Sequence, residues 1–143
     1  RTLAVGKISP EAQRLIDVTY ESLMKGIEQA QAGGKLYDIS AAVQQHVEEA
    51  GFGVVKRFVG HGVGRALHEK PEVPNFVVPG LTGPDLIPGM VLAIEPMVTM
   101  GRPDVEILDD DWTAVTRDGS LAAHWEHSIA ITSNGPRILS LSE

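Results

Sequence analysis

The hydrophobic period of the chain changes at Gly53, and no other feature restricts its fold as strongly. Before Gly53, apolar residues recur at three- and four-residue steps in two segments, a pattern that predicts two amphipathic helices. Ser9 and Pro10 suit the start of the first helix, which extends to about residue 31. Asp38 is the predicted cap of the second helix, which ends at Gly51. After Gly53 the apolar runs are short and separated by turn residues, which predicts strands.

Strands are expected on both sides of the two helices. Residues 1–7 have the pattern of a strand, with Leu3 and Val5 on one face. Five prolines and three glycines indicate that residues 70–90 form an irregular loop, which in a compact domain is more often functional than idle. The later strands are predicted at residues 54–55, 58–59, 90–94, 104–108, 112–116, 121–131 and 137–141. Two helices followed by antiparallel-looking strands predict an α+β fold, and the chain length predicts a single domain, residues 1–143.

The composition excludes several classes of function. A net charge of −7 argues against nucleic acid or an anionic membrane as the main partner. The absence of cysteine excludes disulfides, thiolate metal sites and cysteine nucleophiles. No apolar run is long enough to span a membrane, and the first residues lack the pattern of a secretory signal. A cytoplasmic location is therefore expected.

A glycine-rich segment at residues 59–69 is the first candidate for chemistry. Glycines alternate around His61, and His68 follows seven residues later. Glycine permits close approach of another atom where a Cβ would clash, so this segment suits a histidine exposed to a small ligand. The segment does not match a dinucleotide-binding or P-loop pattern. The His68-Glu69 pair does not begin a zincin helix, because Pro71 would break that helix.

Glu95 is the most unusual position in the sequence. It closes the apolar run at residues 90–94, which has the pattern of a strand buried on both faces. An unpaired carboxylate there would be strongly destabilising unless it met a cation or became protonated. Pro96 favours an extended conformation at Glu95 and removes one backbone donor. The strand is therefore expected to end at a pocket.

Glu126 repeats this situation in the predicted strand at residues 121–131. On strict alternation, Glu126 shares one face with His124, whereas Trp125 and His127 lie on the other. His124 and His127 are interpreted as packing residues rather than as groups that support a metal ligand.

The donor set His61, Glu95 and Glu126 suits a metal ion. One imidazole and two carboxylates match a borderline divalent ion such as Mn, Fe, Co or Zn. Paired carboxylates also bridge two ions that activate a shared water.

Each candidate also has an ordinary explanation, and the residues alone leave these alternatives open. The glycine-rich segment could be a turn with two ordinary histidines, and a strand glutamate is usually solvent-facing or ion-paired. Lys56, Arg57 and Arg65 are possible cationic partners. The acidic residues at positions 104–111 lack the spacing of a calcium loop and are interpreted as a solvated turn. Trp112 is either a core residue or the wall of an apolar pocket.

Taken together, these segments resemble the methionine aminopeptidases, a metal-dependent family with the pita-bread fold. The resemblance covers nearly the whole chain, because the helices fit as well as the site segments. The interval between Glu95 and Glu126 is short, which resembles the type I form. The matching segments are Gly60-His61-Gly62-Val63-Gly64 with His68-Glu69, Ile94-Glu95-Pro96-Met97, and Trp125-Glu126-His127.

The resemblance implies two helices packed on a curved, mainly antiparallel sheet, and it implies roles for the site residues. His61, Glu95 and Glu126 would be metal ligands, with Glu126 bridging two ions (Co, Mn, Fe or Zn). Glu95 would also assist proton transfer.

His68, Trp112 and Leu67 would act on the substrate. His68 would contact the peptide and stabilise the tetrahedral intermediate. Trp112 would line the pocket for the methionine side chain, with Leu67 near it.

The family also uses two aspartate ligands that have no counterpart in this sequence. Both come from the N-terminal half of the enzyme, and residues 1–7 contain no aspartate. The chain is therefore expected to be the C-terminal portion of the catalytic domain, with the missing N-terminal half as a partner that supplies both aspartates. Residues 1–143 alone are expected to be incomplete as an enzyme.

The implied function is hydrolytic removal of the initiator methionine from nascent polypeptides by a metal-activated water. A non-catalytic pita-bread binding module or inactive fragment is one alternative. A proline-directed peptidase of the same fold is another, which the Ile94-Glu95-Pro96-Met97 segment argues against.

Overall fold

The computed structural model describes residues 1–141 and contains two helices followed by ten short strands. The helices are α1 (Pro10–Gln29) and α2 (Leu36–Glu49). The strands are β1 (Gly53–Val54), β2 (Gly60–Gly62), β3 (Glu69–Val73), β4 (Val91–Ile94), β5 (Met97–Thr99), β6 (Val105–Ile107), β7 (Ala114–Thr116), β8 (Ala122–His124), β9 (His127–Thr132) and β10 (Gly135–Ile138).

Both helices begin with side-chain capping. In α1 the Ser9 hydroxyl accepts a hydrogen bond from the Ala12 N–H at 3.1 Å, as predicted. Helix α2 begins two residues before Asp38, so the prediction that Asp38 is its cap residue is wrong. The Asp38 carboxylate instead reaches back and accepts a hydrogen bond from the Lys35 N–H at 2.8 Å.

The strands form three sheets, and every strand pair within them is antiparallel. A five-stranded sheet has the order β10-β9-β4-β2-β3, a three-stranded sheet has the order β1-β5-β8, and β6 pairs with β7. The α+β prediction is confirmed, although the strands are divided among separate sheets.

Helices α1 and α2 pack against the two larger sheets through two separate clusters of buried apolar residues. Leu23, Ile39 and Leu92 belong to a cluster that links α1 and α2 to the five-stranded sheet. Leu15 and Val98 belong to a second cluster on the three-stranded sheet. The helices therefore hold both sheets in a fixed relation, and no helix within residues 1–141 is long and apolar enough to cross a membrane.

Four further predictions about local structure are wrong, and the first is the strand at residues 58–59, which form no strand. Residues 1–7 form no strand, and Val5 is 90% exposed, although the Thr2 N–H donates to the His124 carbonyl at 2.8 Å. The predicted loop at residues 70–90 begins with strand β3. Pro71 is tolerated there because β3 lies at the edge of its sheet, where a missing N–H leaves no partner unsatisfied. The predicted strand at residues 121–131 is divided into β8 and β9.

The interruption between β8 and β9 matches one between β4 and β5. Strand β4 pairs with β9 and places Ile94 opposite His127. Strand β5 pairs with β8 and places Met97 opposite His124. The two ladders share one register, so the residues between them also face each other across the gap.

Strand β4 depends on Leu92, which is fully buried between the helices and the sheet. Leu92→Ala is expected to lower the free energy of unfolding by about 2–5 kcal/mol, because the surrounding structure fills the resulting cavity only in part. The matched control is Leu81→Ala, whose side chain is 58% exposed and whose effect should stay within about 0.5 kcal/mol. Urea unfolding of both variants measures the difference; equal effects would contradict this account of the core.

Candidate metal centre

Two carboxylates occupy the gap between the paired ladders. Glu95 lies between β4 and β5, and Glu126 lies between β8 and β9. The shared register places Glu95 opposite Glu126. Only 15% of the Glu95 side chain is exposed, whereas Glu126 is exposed. Like charges directly opposite each other in an antiparallel pair are destabilising, so this arrangement needs a cation or a proton between them.

His61 approaches this gap from the neighbouring strand. Strand β2 places His61 opposite Ala93 of β4. Ala93 is two residues before Glu95, so the two side chains point to the same face of the strand. Gly60 is required for this close approach, because a Cβ at Gly60 would lie 2.2 Å from the Ala93 carbonyl oxygen. Glycine at this position therefore serves to bring the His61 strand against β4.

The hydrogen bonding of His61 defines which ring nitrogen is available. Nδ1 donates to the Gly62 carbonyl at 2.8 Å, which leaves Nε2 with its lone pair free. Nε2 lies 3.5 Å from Oε1 of Glu95. A backbone carbonyl on the other ring nitrogen is the usual way in which a protein orients a histidine that ligates a metal.

His124 also faces Glu95, and the interpretation of His124 as a packing residue is wrong. Its Nε2 lies 3.6 Å from Oε2 of Glu95, and its side chain is 40% exposed rather than enclosed in the core. Glu95, His124 and Glu126 each offer one ligand atom, and these atoms all lie within 4.8 Å of one another. The packing interpretation failed because β8 ends at His124, beside the carboxylates.

The donor set fits a divalent transition-metal ion. Separations of 3.5 and 3.6 Å between nitrogen and oxygen are too long for good hydrogen bonds. Two ligand atoms bound at about 2.1 Å to one tetrahedral ion lie roughly 3.4 Å apart, which matches these separations. Imidazole and carboxylate donors together suit the borderline metals.

His68 lies beside His61 on the open side of the site. The two rings are 4.2 Å apart between centroids, and His68 is exposed. Both histidines line a cleft of about 340 Å³, together with Glu69 and Lys70. Strand β3 begins at Glu69, directly after His68, so the pair does not lie on the helix that a zincin motif requires. His68 is therefore placed to contact a molecule that enters from solvent.

The two apolar residues predicted for substrate binding lie outside the clefts at the site. Trp112 is 87% exposed and Leu67 is 72% exposed. The alternative that Trp112 belongs to the core is therefore wrong. A second cavity, of about 200 Å³, adjoins His124 and is lined mainly by apolar side chains, among them Phe58 and Met97. The substrate roles of Trp112 and Leu67 stay predictions.

The proposed cationic partners of the glutamates do not reach them. Among residues 1–141, the basic side chains that lie against the Glu95 carboxylate are His61 and His124, and not Lys56, Arg57 or Arg65. Lys56 instead lies over the Phe76 ring, with Nζ 5.8 Å from its centroid.

The other two histidines, His46 and His127, bond to groups outside the set of candidate metal ligands. His46 Nε2 lies 3.0 Å from a carboxylate oxygen of Glu21 on the helix surface. His127 Nδ1 lies 2.8 Å from the Ser140 hydroxyl. Burial lowers the pKa of His127, and the adjacent Glu126 carboxylate partly opposes this effect.

Asn75 is a supporting residue that the sequence analysis missed. It is 1% exposed, and its side-chain amide donates to the Glu95 backbone carbonyl at 3.1 Å. This hydrogen bond ties the end of β4 to the loop that follows β3. No periodic signal marks Asn75 in the sequence, because the loop has no regular spacing.

Comparison with known proteins places this geometry in a family. Residues 1–133 match the model of metallopeptidase family M24. The chain is 57% identical, over all its residues, to a methionine aminopeptidase of Clostridium acetobutylicum. It is 60% identical over 99% of its length to a methionine aminopeptidase of Clostridium perfringens.

The fold comparison agrees with the sequence comparison. A crystal structure of methionine aminopeptidase from Thermotoga maritima superposes with a TM-score of 0.92 and 48% identity over 96% of this chain. The chain spans 57%, 56% and 55% of the lengths of these three proteins. The pita-bread fold and the predicted resemblance are confirmed. The chain belongs to metallopeptidase family M24.

Proposed function

We propose that the protein is a metal-dependent aminopeptidase that removes the initiator methionine from nascent polypeptides. The observation that carries the proposal is the pair of opposed carboxylates, Glu95 and Glu126, with an imidazole directed at Glu95 from each side. The curated relatives named methionine aminopeptidase support the choice of substrate.

The proposed cofactor is a pair of divalent ions, Co, Mn, Fe or Zn. His61, Glu95 and Glu126 would hold them, with Glu126 as the shared ligand. When bound, such ions lower the pKa of a water molecule and polarise a peptide carbonyl. Membership of family M24 supports a divalent metal in general terms, whereas the number and identity of the ions belong to the proposal.

The protein residues would then act on the substrate and its protons. His68 would donate a hydrogen bond toward the oxygen on which charge develops, because its ring lies in the open cleft beside His61. Glu95 would accept a proton at a carboxylate oxygen and return it to the leaving amine. The limited exposure of the Glu95 side chain would protect this transfer from bulk water.

The substrate would be a peptide with a free N-terminus in the cytoplasm. Trp112 and Leu67 would contact the methionine side chain. Their exposure leaves both side chains available for such contact.

The metal ligands can be tested by binding rather than by activity. His61→Ala is expected to weaken the affinity for Co²⁺ and Mn²⁺ by at least about tenfold, because Nε2 would be lost as a ligand. The matched control is His46→Ala, which removes a histidine that pairs with Glu21 on the helix surface. Isothermal titration calorimetry compares the two variants; equal affinities would contradict the role of His61.

The role of His68 predicts a different kinetic effect. His68→Ala is expected to lower kcat by about 10²–10³-fold on the peptide Met-Ala-Ser, because a hydrogen bond made in the transition state is lost. Metal affinity should stay within about twofold of the unsubstituted protein. The assay measures cleavage by the full-length enzyme in the presence of Co²⁺. The variant His46→Ala is again the control.

The same assay separates the proposed function from a proline-directed peptidase. Met-Ala-Ser should be cleaved after methionine, and an X-Pro dipeptide should remain intact. Faster cleavage of the X-Pro peptide would rule out the proposed substrate, and an unchanged kcat in His68→Ala would rule out the role of His68.

A further inference from the structure

The segment that carries His68 lies outside the regular pairing of its sheet. Residues 64–68 connect strands β2 and β3, and all of them are exposed. The last pairing of β2 with β3 joins Gly62 to Glu69, after a shift in register. A histidine that meets a developing charge needs a fixed direction, so a group other than the strand ladder has to hold this segment.

The Glu69 carboxylate folds back over this segment and bonds to its backbone. Its Oε1 accepts a hydrogen bond from the Ala66 N–H at 2.8 Å. The Ala66 carbonyl in turn accepts a hydrogen bond from the Gly64 N–H at 3.1 Å. Within residues 1–141, the bond to Glu69 is the one that joins residues 64–68 to a side chain. A hydrogen bond from a backbone N–H to a carboxylate is stronger than one between neutral groups.

Gly64 leaves the space that the Glu69 carboxylate occupies. A Cβ at Gly64 would lie 2.5 Å from Oε2 and 2.9 Å from Oε1 of Glu69. The backbone at Gly64 has no positive φ, so the space rather than the conformation favours glycine here. A side chain at this position would push the carboxylate away from the backbone that it holds.

We propose that Glu69 is a positioning residue, whose carboxylate holds the backbone at Ala66 and thereby directs the His68 ring into the cleft. Glu69 lines that cleft together with His61 and His68, and the two imidazole rings are 4.2 Å apart between centroids. The inference deepens the proposed function and rests on it, because it explains how His68 is held where it would meet the peptide.

The kinetic test compares two substitutions of Glu69 in the full-length enzyme, with Co²⁺ and the peptide Met-Ala-Ser. Glu69→Ala is expected to lower kcat by at least about tenfold, because the His68 ring loses its fixed direction. Glu69→Gln keeps an oxygen that accepts from the Ala66 N–H, so its kcat should stay within about threefold. The matched control is Glu48→Ala, because this exposed carboxylate accepts a hydrogen bond from Gln44 at 2.8 Å on the surface of α2. Equal kcat values for Glu69→Ala and Glu48→Ala would overturn the proposal.

A double-mutant cycle shows whether Glu69 acts through His68. If it does, adding Glu69→Ala to His68→Ala should change kcat by no more than about twofold, because no imidazole remains to be directed. A further loss as large as that of Glu69→Ala alone would overturn the proposal, since Glu69 would then support some other part of the site.

Limited digestion with trypsin measures the same hold on the backbone without any activity. Arg65 lies in the exposed segment, and trypsin cleaves after arginine when the backbone around it loosens. Glu69→Ala should be cut after Arg65 at least about threefold faster than the unsubstituted enzyme. Gly64→Ala should show the same increase because its Cβ displaces the carboxylate, and Glu69→Gln should not. Equal rates in all of these proteins would overturn the proposal.

The results separate this inference from the proposed function. If His68→Ala lowers kcat while Glu69→Ala leaves kcat and the rate of trypsin cleavage within about twofold, the role of Glu69 is overturned and the proposed function stands. If the unsubstituted full-length enzyme leaves Met-Ala-Ser intact, the proposed function is overturned, and the role of Glu69 in directing His68 toward a peptide is overturned with it.

Discussion

The repulsion between two carboxylates that face each other is the interaction on which the site depends. Glu95 and Glu126 lie opposite each other in one antiparallel register, between ladders that pair normally on both sides. Such a pair is unfavourable by itself, and burial of Glu95 increases the penalty because the low dielectric strengthens the repulsion. The surrounding histidines provide nitrogen donors at the two Glu95 oxygens. In the proposed function, a divalent cation would relieve the repulsion and bind these nitrogen atoms together.

The fold holds this unfavourable pair in place through its core. The two helices pack against both larger sheets, and the chain passes from one sheet to the other at the carboxylates. Pro96 helps to interrupt the ladder there, since it has no N–H to donate. The Trp125 N–H donates to the Pro96 carbonyl at 3.3 Å. This hydrogen bond joins the segment between β4 and β5 to the segment between β8 and β9. The packing of the core thus holds the two glutamates close together in spite of their repulsion.

Periodicity and burial explain what could be predicted from the sequence. Regular apolar stripes predict the two helices, and Glu95 is unusual because a charged residue closes an apolar run. His124 was assigned the wrong role, since its place beside Glu95 depends on a register between strands that are distant in sequence. Strand β3 was missed because Pro71 is acceptable only at a sheet edge, and edge position is a property of topology. Local patterns thus identify the candidate ligands more readily than they identify the residues around them.

The most direct test of the metal centre is X-ray diffraction from crystals grown with Co²⁺, measured at the cobalt absorption edge. The account predicts an anomalous peak between the strands, within about 2.0–2.3 Å of His61 Nε2 and of carboxylate oxygens of Glu95 and Glu126. An ordered site with both carboxylates resolved and no anomalous peak between them would contradict it. Such a map would require the two glutamates to be held together by protonation or by another side chain.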